Sequence, residues 1–193
     1  FERICELPEY YPTRTELAIL ARHAGEMAER IGPRCLLVEY GSGSSLKTRM
    51  LLDHLEDPAG YIPIDISREH LTASARDLAA TYEGLPVLPV CADYTQAIAL
   101  PEVDGPVGQV VVYFPGSTIG NFTPPEAQAF LARVGDVCGV GGGLLIGIDL
   151  EKDVDVLWAA YNDAAGVTEA FNRNLFVRIN RELGANFDLD RFV

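Results

Sequence analysis

Five short runs of branched and aromatic apolar residues alternate with helical segments along the chain, and this order constrains the fold more than any other feature. Runs of this length and composition are typical of buried strands, and the segments between them carry apolar residues at helical spacing. Strands joined by helices form parallel sheets whose two faces are covered by those helices. We therefore expect an α/β fold with a mostly parallel sheet and helices on both faces.

The predicted strands cover residues 35–41, 59–67, 85–94, 108–117 and 144–150. Prolines in the third run favour an edge position, because proline cannot donate a backbone hydrogen bond. Thr13 and Glu16 have the spacing of a capping box and predict the start of the first long helix. The segment from 154 to 183 has a helical pattern, and we expect it to break near Gly166.

Composition and charge narrow the possible partners. The chain has 193 residues and a net charge of −13, with an isoelectric point near 4.5. A general electrostatic attraction to nucleic acid or to an anionic membrane is therefore not expected. The four cysteines are widely spaced and indicate reduced, mostly buried side chains of a cytoplasmic protein. No apolar run is long enough to cross a bilayer. We expect a monomer that binds no metal, nucleic acid or membrane.

Candidate ligand-binding residues follow from the expected sheet, since ligands of such sheets bind outside the carboxyl ends of the strands. The residues that follow the predicted strands lie at 41–47, 65, 93–94, 114–121 and 149. Glycines dominate the first group, in the sequence EYGSGSSLKT from Glu39 to Thr48. The residues around these glycines indicate which ligand the loop accepts.

Three kinds of ligand use glycines between a strand and a helix. A phosphate-binding Walker loop requires a second glycine five residues after Gly41, but Leu46 stands there, so Lys47 and Thr48 complete only part of the motif. A dinucleotide fingerprint shares Gly41 and Gly43, yet Leu46 again replaces the glycine that lets a diphosphate approach the helix. S-adenosylmethionine carries no diphosphate, and it therefore requires no third glycine.

Acidic residues at three successive strand ends favour S-adenosylmethionine. Glu39 ends the first strand and suits the cationic part of this cofactor. Asp65 ends the second strand, 24 residues after Gly41, near the spacing at which an acid accepts ribose hydroxyls. Asp93 and Tyr94 follow the third strand and offer a hydrogen bond to the adenine amino group and a ring for its face. Purely structural explanations also exist for these residues, as turn glycines, a helix cap and a loop acid.

The segment FPGSTIGNF, residues 114–122, resembles the motif of histidine-specific, S-adenosylmethionine-dependent methyltransferases, which trimethylate the α-amino group of L-histidine in ergothioneine biosynthesis. Four other segments are also similar to segments of that family. They are LPEYYPTRTE at 7–16, GSGSSLKT at 41–48, the run 149–153 and RINRELGANFDLDRF at 178–192. The resemblance covers essentially the whole chain. It implies a Rossmann-like class I methyltransferase fold with S-adenosylmethionine as the cofactor.

The resemblance also implies roles for residues at matching positions. The implied cofactor contacts are Gly41, Lys47, Asp65, Asp93 and Tyr94, to which the strand ends add Glu39, Gly43 and Phe114. The implied contacts to the amino-acid substrate are Tyr11, Gly116, Asn121 and Tyr161. Asn121 would hold the α-carboxylate or the amine. Tyr11 and Tyr161 would approach the amino group or the ring and are the candidate catalytic residues.

Two domains are expected, an N-terminal substrate-side segment and helix at 1–32 and a cofactor-binding core at 33–193. Members of the family have residues ahead of the position of Phe1 and further C-terminal strands that recognise the imidazole, so the resemblance implies that these parts are missing here. Three alternatives stay open. They are another aromatic amino acid as the methyl acceptor, a non-catalytic cofactor-binding fragment, and a nicotinamide-dependent oxidoreductase.

Overall fold

A parallel sheet forms the centre of the computed structural model, which describes residues 1–43 and 45–191. Its strands are β1 (Cys35–Tyr40), β2 (Gly60–Asp65), β3 (Val90–Cys91), β4 (Gln109–Phe114) and β5 (Gly143–Ile146). The order across the sheet is β3-β2-β1-β4-β5, with parallel pairing throughout. The expected parallel sheet is confirmed, and so is the edge position of the proline-rich third strand. Ser44 of the glycine loop and Phe192 of the C-terminal segment lie outside the described residues.

Helices follow β1, β2, β4 and β5, whereas residues 92–108 join β3 to β4 without a helix, so the expected alternation of strands and helices fails at this connection. The α-helices are α1 (Glu2–Cys5), α2 (Tyr11–Ile31), α3 (Leu46–Leu52), α4 (Arg68–Thr81), α5 (Pro124–Cys138), α6 (Val154–Tyr161) and α7 (Val167–Leu183). Short 3₁₀ helices span Thr118–Asn121 and Leu189–Arg191. Gly166 precedes α7 with a φ of +70°, which confirms the predicted break. Within the described ranges, none of the helices has the length and apolar character needed to span a membrane.

Side chains alternate along β1 and divide the core of the sheet into two layers. Leu37 packs on one face with Leu51 of α3 and Leu78 of α4. Val38, its neighbour, packs on the opposite face with Phe130 of α5. This period of two places successive side chains of one strand on opposite faces. Helices therefore cover both faces, as the apolar character of the strands predicts.

The chain divides into two compact units. The sheet unit comprises residues 16–149 and contains the five strands. The helical unit comprises residues 1–15 and 150–193 and contains α1, α6 and α7. This division differs from the predicted boundary after residue 32, since residues 150–193 group with the N-terminal residues.

The start of α2 differs from the sequence-based expectation. The helix begins at Tyr11, two residues before Thr13. The carboxylate of Glu16 accepts hydrogen bonds from the backbone N–H of Gly116 instead of closing a capping box. The predicted capping box is therefore wrong, because a distant backbone donor binds the carboxylate that the local pattern assigned to the helix end.

The cysteines are free, as expected for reduced thiols, but their burial varies. Cys35 is buried in β1, and burial raises the pKa of its thiol to about 11. Cys91 is exposed, and Cys5 and Cys138 are half-buried. The expectation that the cysteines are mostly buried is wrong. Cys35 begins the central strand β1, whereas Cys5 and Cys138 end helices and Cys91 ends the edge strand β3.

Gly142 lies at the turn before β5, where the neighbouring backbone leaves no room for a side chain. A Cβ at this position would lie 2.3 Å from the carbonyl oxygen of Cys138 and 2.6 Å from that of Val110. We expect Gly142→Ala to lower the free energy of unfolding, measured by urea denaturation, by roughly 1–3 kcal/mol, the usual cost of overpacking.

Gly135 in α5 is the matched control for this substitution, because nothing lies within 4 Å of a Cβ added there. Gly135→Ala should raise the free energy of unfolding by about 0.5–1 kcal/mol, the usual gain from removing glycine from a helix. A Gly142→Ala protein as stable as the unsubstituted one would contradict the close packing of this turn.

Candidate functional site

The glycine loop runs from the end of β1 to the start of α3, at the carboxyl end of the sheet. Gly41 and Gly43 have φ angles of +76° and +45°, and Ser45 has a φ of +59°. Glycine adopts this left-handed region without steric cost. The N–H of Gly41 donates to the carbonyl of Ile64 in β2 at 2.8 Å, which holds the loop to the neighbouring strand. The loop thus lies beside the point where the strand order reverses between β1 and β4, the usual ligand position in such sheets.

Residues of α4 hold the other side of the loop. The hydroxyls of Ser45 and Ser74 form a hydrogen bond, and Nε2 of His70 lies 3.0 Å from the carbonyl oxygen of Gly43. The hydroxyl of Ser42 is buried and has no hydrogen-bond partner among the described residues. Buried polar groups in native proteins are almost always satisfied. A polar group of a ligand can satisfy this hydroxyl, so the loop fits a ligand with hydrogen-bonding groups.

Glu39 is the residue before the last of β1, beneath the loop, and its side chain is buried with 2% exposure. Thr48 of α3 donates a hydrogen bond to its Oε2 at 2.6 Å, and the hydroxyl of Tyr61 in β2 donates to the same oxygen. Burial raises the pKa of Glu39 to about 7, although these two hydrogen bonds and the charge of Lys47 act in the opposite direction. The carboxylate is thus engaged within the protein, and its contact with a cofactor stays a prediction.

Glu16 is a residue of this site that the sequence interpretation missed. Both of its carboxylate oxygens accept the backbone N–H of Gly116, at 2.9 and 3.0 Å, and Oε2 pairs with the ammonium group of Lys47. A Cβ at Gly147, just after β5, would lie 2.1 Å from Oε1 of Glu16 and would displace the carboxylate. The only sequence signal was the place of Glu16 in the segment 7–16 that resembles the family.

The two acids predicted to bind adenosine lie near the same tyrosine. Burial raises the pKa of the Tyr94 phenol, and the charges of Asp65 and Asp93 raise it further. Oδ1 of Asp65 accepts the N–H of Ser67 at 2.8 Å. Oδ1 of Asp93 accepts the hydroxyl and the N–H of Thr95 at 2.7 and 2.8 Å, which lowers the pKa of Asp93. In each acid, Oδ1 therefore accepts hydrogen bonds from a residue two positions later in the same loop.

Aromatic residues support the loop from one side. The Tyr94 ring stacks on Tyr40, with 5.7 Å between ring centroids and an interplanar angle of 7°. A Cβ at Gly41 would lie 3.8 Å from the Tyr94 ring, so this ring lies against the loop. Phe114 is only 1% exposed, and its ring centroid lies 4.7 Å from that of Phe130. The side chain of Phe114 belongs to the core, and its predicted cofactor contact stays a prediction.

The loop after β4 carries two of the predicted substrate residues. Gly116 and Ser117 adopt left-handed conformations, with φ of +81° and +58°. The hydroxyl of Ser117 accepts the N–H of Asp149 at 2.9 Å, which ties this loop to the segment after β5. Asn121 ends the following 3₁₀ helix and is exposed. Gly116 and Asn121 thus lie beyond the carboxyl end of β4, as predicted.

The two candidate catalytic tyrosines belong to the helical unit. Tyr11 is 6% exposed, and the ammonium group of Lys152 lies 4.7 Å from the centroid of its ring. Tyr161 ends α6 and is 51% exposed. Its ring meets that of Tyr10 edge-on, with centroids 5.9 Å apart and an interplanar angle of 87°. One candidate is thus held in a buried cluster, and the other presents half of its side chain to solvent.

Charges at the carboxyl end of the sheet do not suit a phosphate ligand. The ammonium group of Lys47, the cation that a Walker loop would place on phosphate, is paired with Glu16. Asp65 and Asp93 add negative charge at the neighbouring strand ends. Like charges repel, so a diphosphate would meet an unfavourable field there. A ligand with hydroxyl groups and a positive charge fits this arrangement better.

Known structures share this fold. A Thermobifida fusca protein is 13% identical, with a TM-score of 0.56 over 83% of this chain and 62% of its own. The S-adenosylmethionine-dependent methyltransferase SibL is 18% identical, with a TM-score of 0.53 over 78% of this chain and 40% of its own. At these identities the likeness shows the fold alone. Together with the strand order and the loop, it defines a class I methyltransferase fold, which confirms the predicted fold class.

All residues from 1 to 193 match the histidine-specific, S-adenosylmethionine-dependent methyltransferases, and the chain belongs to this family. It is 45% identical to the histidine N-alpha-methyltransferase of Mycolicibacterium smegmatis and 43% identical to that of Mycobacterium tuberculosis, over 100% of this chain and 60% of each relative. It is 35% identical to ergothioneine biosynthesis protein 1 of Neurospora crassa, over 95% of this chain and 21% of that protein. The family resemblance seen in the sequence is confirmed.

Glu39 gives the free energy of unfolding a specific pH dependence. Its pKa of about 7 in the folded protein lies above the ordinary value of 4.5, so the folded state holds a proton that the unfolded chain releases. Stability should fall as the pH rises through this interval and level off above it, by about 3 kcal/mol at most. Glu39→Gln removes the titration and keeps an oxygen acceptor for Thr48 and Tyr61. The difference in stability between the two proteins, from urea denaturation, should therefore change with pH.

Glu29→Gln provides the control, because Glu29 is exposed on α2 and its substitution removes the same charge. Its stability difference from the unsubstituted protein should vary little over this interval. If the Glu39→Gln difference were equally flat, the raised pKa assigned to Glu39 would be incorrect.

Proposed function

We propose that the protein transfers methyl groups from S-adenosyl-L-methionine to the α-amino group of L-histidine, giving trimethylhistidine for ergothioneine biosynthesis. The observation that carries this proposal is family membership over all 193 residues, supported by 43–45% identity to two proteins named histidine N-alpha-methyltransferase. The chain spans about 60% of the length of those two relatives, and the proposal extends their activity to it.

The cofactor assignment is supported by the groups at the carboxyl end of the sheet. Asp65 has a second carboxylate oxygen for ribose hydroxyls, because its Oδ1 is used by the N–H of Ser67. Asp93 has a second oxygen for the adenine amino group in the same way. Tyr94 is assigned to the face of the adenine. The hydroxyl of Ser42, which has no partner within the part of the chain that the structure describes, is assigned as a further donor for the cofactor. Glycine at 41 and 43 lets the backbone approach this ligand.

Asn121 is assigned to the carboxylate or the amine of the amino-acid substrate, for which its exposed amide offers a donor and an acceptor. The N–H of Gly116 already donates to Glu16. We therefore assign the carbonyl oxygen of Gly116 to the substrate contact. The family resemblance supplies the roles of Tyr11 and Tyr161 beside the amino group.

Methyl transfer depends mainly on the alignment of the amine nitrogen with the methyl group and the sulfur. When bound, S-adenosylmethionine supplies a methyl group on a positively charged sulfur, which leaves as a neutral thioether. That leaving group needs no proton, whereas the substrate amine has to release one to expose its lone pair, and we assign this proton to solvent water. The residues of the chain have to orient the amine, which in favourable cases lowers a barrier by roughly 7–11 kcal/mol. The neutral phenol of a tyrosine is a weak proton acceptor. Tyr11 and Tyr161 are therefore assigned to orient the amine rather than to act as strong bases.

Calorimetric titration of this chain with S-adenosylhomocysteine, followed by L-histidine, tests the proposal. We expect both ligands to bind, the second to the complex with the first. A response to an indole amino acid in place of histidine would favour the alternative acceptor. A folded sample that binds NAD and not S-adenosylhomocysteine would replace the proposal with a nicotinamide-dependent activity.

Asp65→Ala should weaken S-adenosylhomocysteine binding by roughly 10- to 100-fold, because each hydrogen bond to a charged group contributes about 1.5–3 kcal/mol. Asp136→Ala is the control, since Asp136 is exposed on α5 and its loss changes the net charge equally. Calorimetric dissociation constants for the two variants should differ accordingly. Equal constants would exclude the assigned contact between Asp65 and the ribose.

Asn121→Ala should weaken L-histidine binding and leave the affinity for S-adenosylhomocysteine unchanged. The expected loss is roughly 5- to 10-fold, the effect of one hydrogen bond of about 1 kcal/mol or slightly more. The same two-step titration measures both constants. A parallel loss of both affinities would show that Asn121 supports the fold of the loop instead of contacting the substrate.

A further inference from the structure

Glu16 contributes to neither the cofactor contacts nor the substrate contacts assigned above, yet its carboxylate lies at the carboxyl end of the sheet. It contacts Lys47 of α3 and Gly116 after β4, and it lies against Gly147 after β5. Its side chain is 17% exposed and that of Lys47 is 22% exposed. The pair is therefore mostly withdrawn from water, at the place where the glycine loop ends and α3 begins.

The contacts around Glu16 fix its position more firmly than those of an ordinary surface ion pair. A backbone N–H donates to both carboxylate oxygens, at 2.9 and 3.0 Å, and so restricts the orientation of the group. The absence of a side chain at Gly147 leaves the space that Oε1 occupies. Charge-assisted hydrogen bonds of this kind are stronger than neutral ones, and partial burial reduces screening by salt.

This pair balances the positive charge of Lys47. Glu39, a second carboxylate that interacts with the charge of Lys47, does not serve that purpose equally well. Its Oε2 accepts hydrogen bonds from Thr48 and Tyr61, and its pKa of about 7 leaves it only partly ionised at neutral pH. Without Glu16, Lys47 would therefore place a largely unbalanced cation at the proposed cofactor site.

An unbalanced cation affects the two forms of the cofactor differently. S-adenosylmethionine carries a positive sulfur, whereas the product S-adenosylhomocysteine has a neutral thioether at the same position. Both ligands carry the same α-carboxylate and α-ammonium groups, so an unpaired ammonium of Lys47 acts on those groups alike. The two ligands differ in the Coulomb repulsion that the positive sulfur of S-adenosylmethionine alone experiences. The ratio of the two affinities therefore reports the charge balance at Lys47, separately from any general damage to the site.

We propose that Glu16 is a positioning residue that holds and neutralises Lys47, and that it thereby sets the preference of the site for the positively charged methyl donor over the neutral product. The inference rests on the proposed function, since it requires S-adenosylmethionine to be the cofactor. It adds a residue that determines how the site discriminates substrate from product by charge.

The test measures dissociation constants of S-adenosylmethionine and S-adenosylhomocysteine by calorimetry for each variant at low ionic strength. Glu16→Gln keeps the size of the side chain and removes its charge. We expect it to raise the ratio of the two constants, methyl donor over product, by about tenfold, as repulsion between two partly screened charges would. Glu29→Gln, the same change at an exposed position of α2, should leave the ratio unchanged.

Two further variants separate charge from packing. Lys47→Gln leaves Glu16 unbalanced, so the ratio should fall below that of the unsubstituted protein even if both affinities decrease. The double variant Glu16→Gln with Lys47→Gln removes both charges and should return the ratio toward its original value. A purely structural role of Glu16 predicts no such rescue. The Lys47→Gln result also tests the proposal if Glu16→Gln does not fold.

An unchanged ratio in a folded Glu16→Gln protein that still binds S-adenosylhomocysteine would overturn this inference and leave the proposed function in place. A double variant whose ratio stays at the Glu16→Gln value would also overturn it, because charge balance would then not explain the shift. Failure of the unsubstituted chain to bind either ligand would instead remove the proposed function, which makes the two failures distinguishable.

Discussion

A carboxylate that is buried away from water requires hydrogen bonds or a proton to offset its lost hydration. Glu39, near the end of the central strand β1, is such a carboxylate beneath the glycine loop. Thr48 and Tyr61 meet this requirement by donating to the same oxygen from α3 and from β2. These bonds join three elements around the glycine loop. They hold α3, the helix that follows the loop, to β1, and they tie β1 to β2 beside it.

A second carboxylate, that of Glu16, organises the neighbouring part of the same region. It binds the ammonium group of Lys47, which lies in α3, and the backbone of Gly116, which lies in the loop after β4. The acids at the ends of β2 and β3 leave the region negative in character. This balance disfavours diphosphates and favours a ligand with hydroxyl groups and a positive charge. S-adenosylmethionine, the cofactor of the family to which the chain belongs, is a ligand of this kind.

Much of the fold could be predicted because burial on both faces of a parallel sheet leaves a local pattern in the sequence. The prolines between 85 and 94 indicated an edge strand, since they remove backbone donors. Asp65 and Asp93 could be placed near each other because neighbouring parallel strands end at the same side of the sheet. Phe114 was harder to interpret, since the last residue of a strand can face the core or the ligand. In the structure it packs on Phe130.

The sequence by itself determined the alternation of strands and helices, the glycine loop after β1 and the family membership, because each of these depends on local patterns or on motifs. Only the tertiary structure decided the partners of Glu16, which lie 31 and 100 residues away at Lys47 and Gly116. It also decided that Glu39 is buried and has a pKa of about 7. Ion pairing and pKa depend on distance and burial in three dimensions, and spacing along the chain specifies neither.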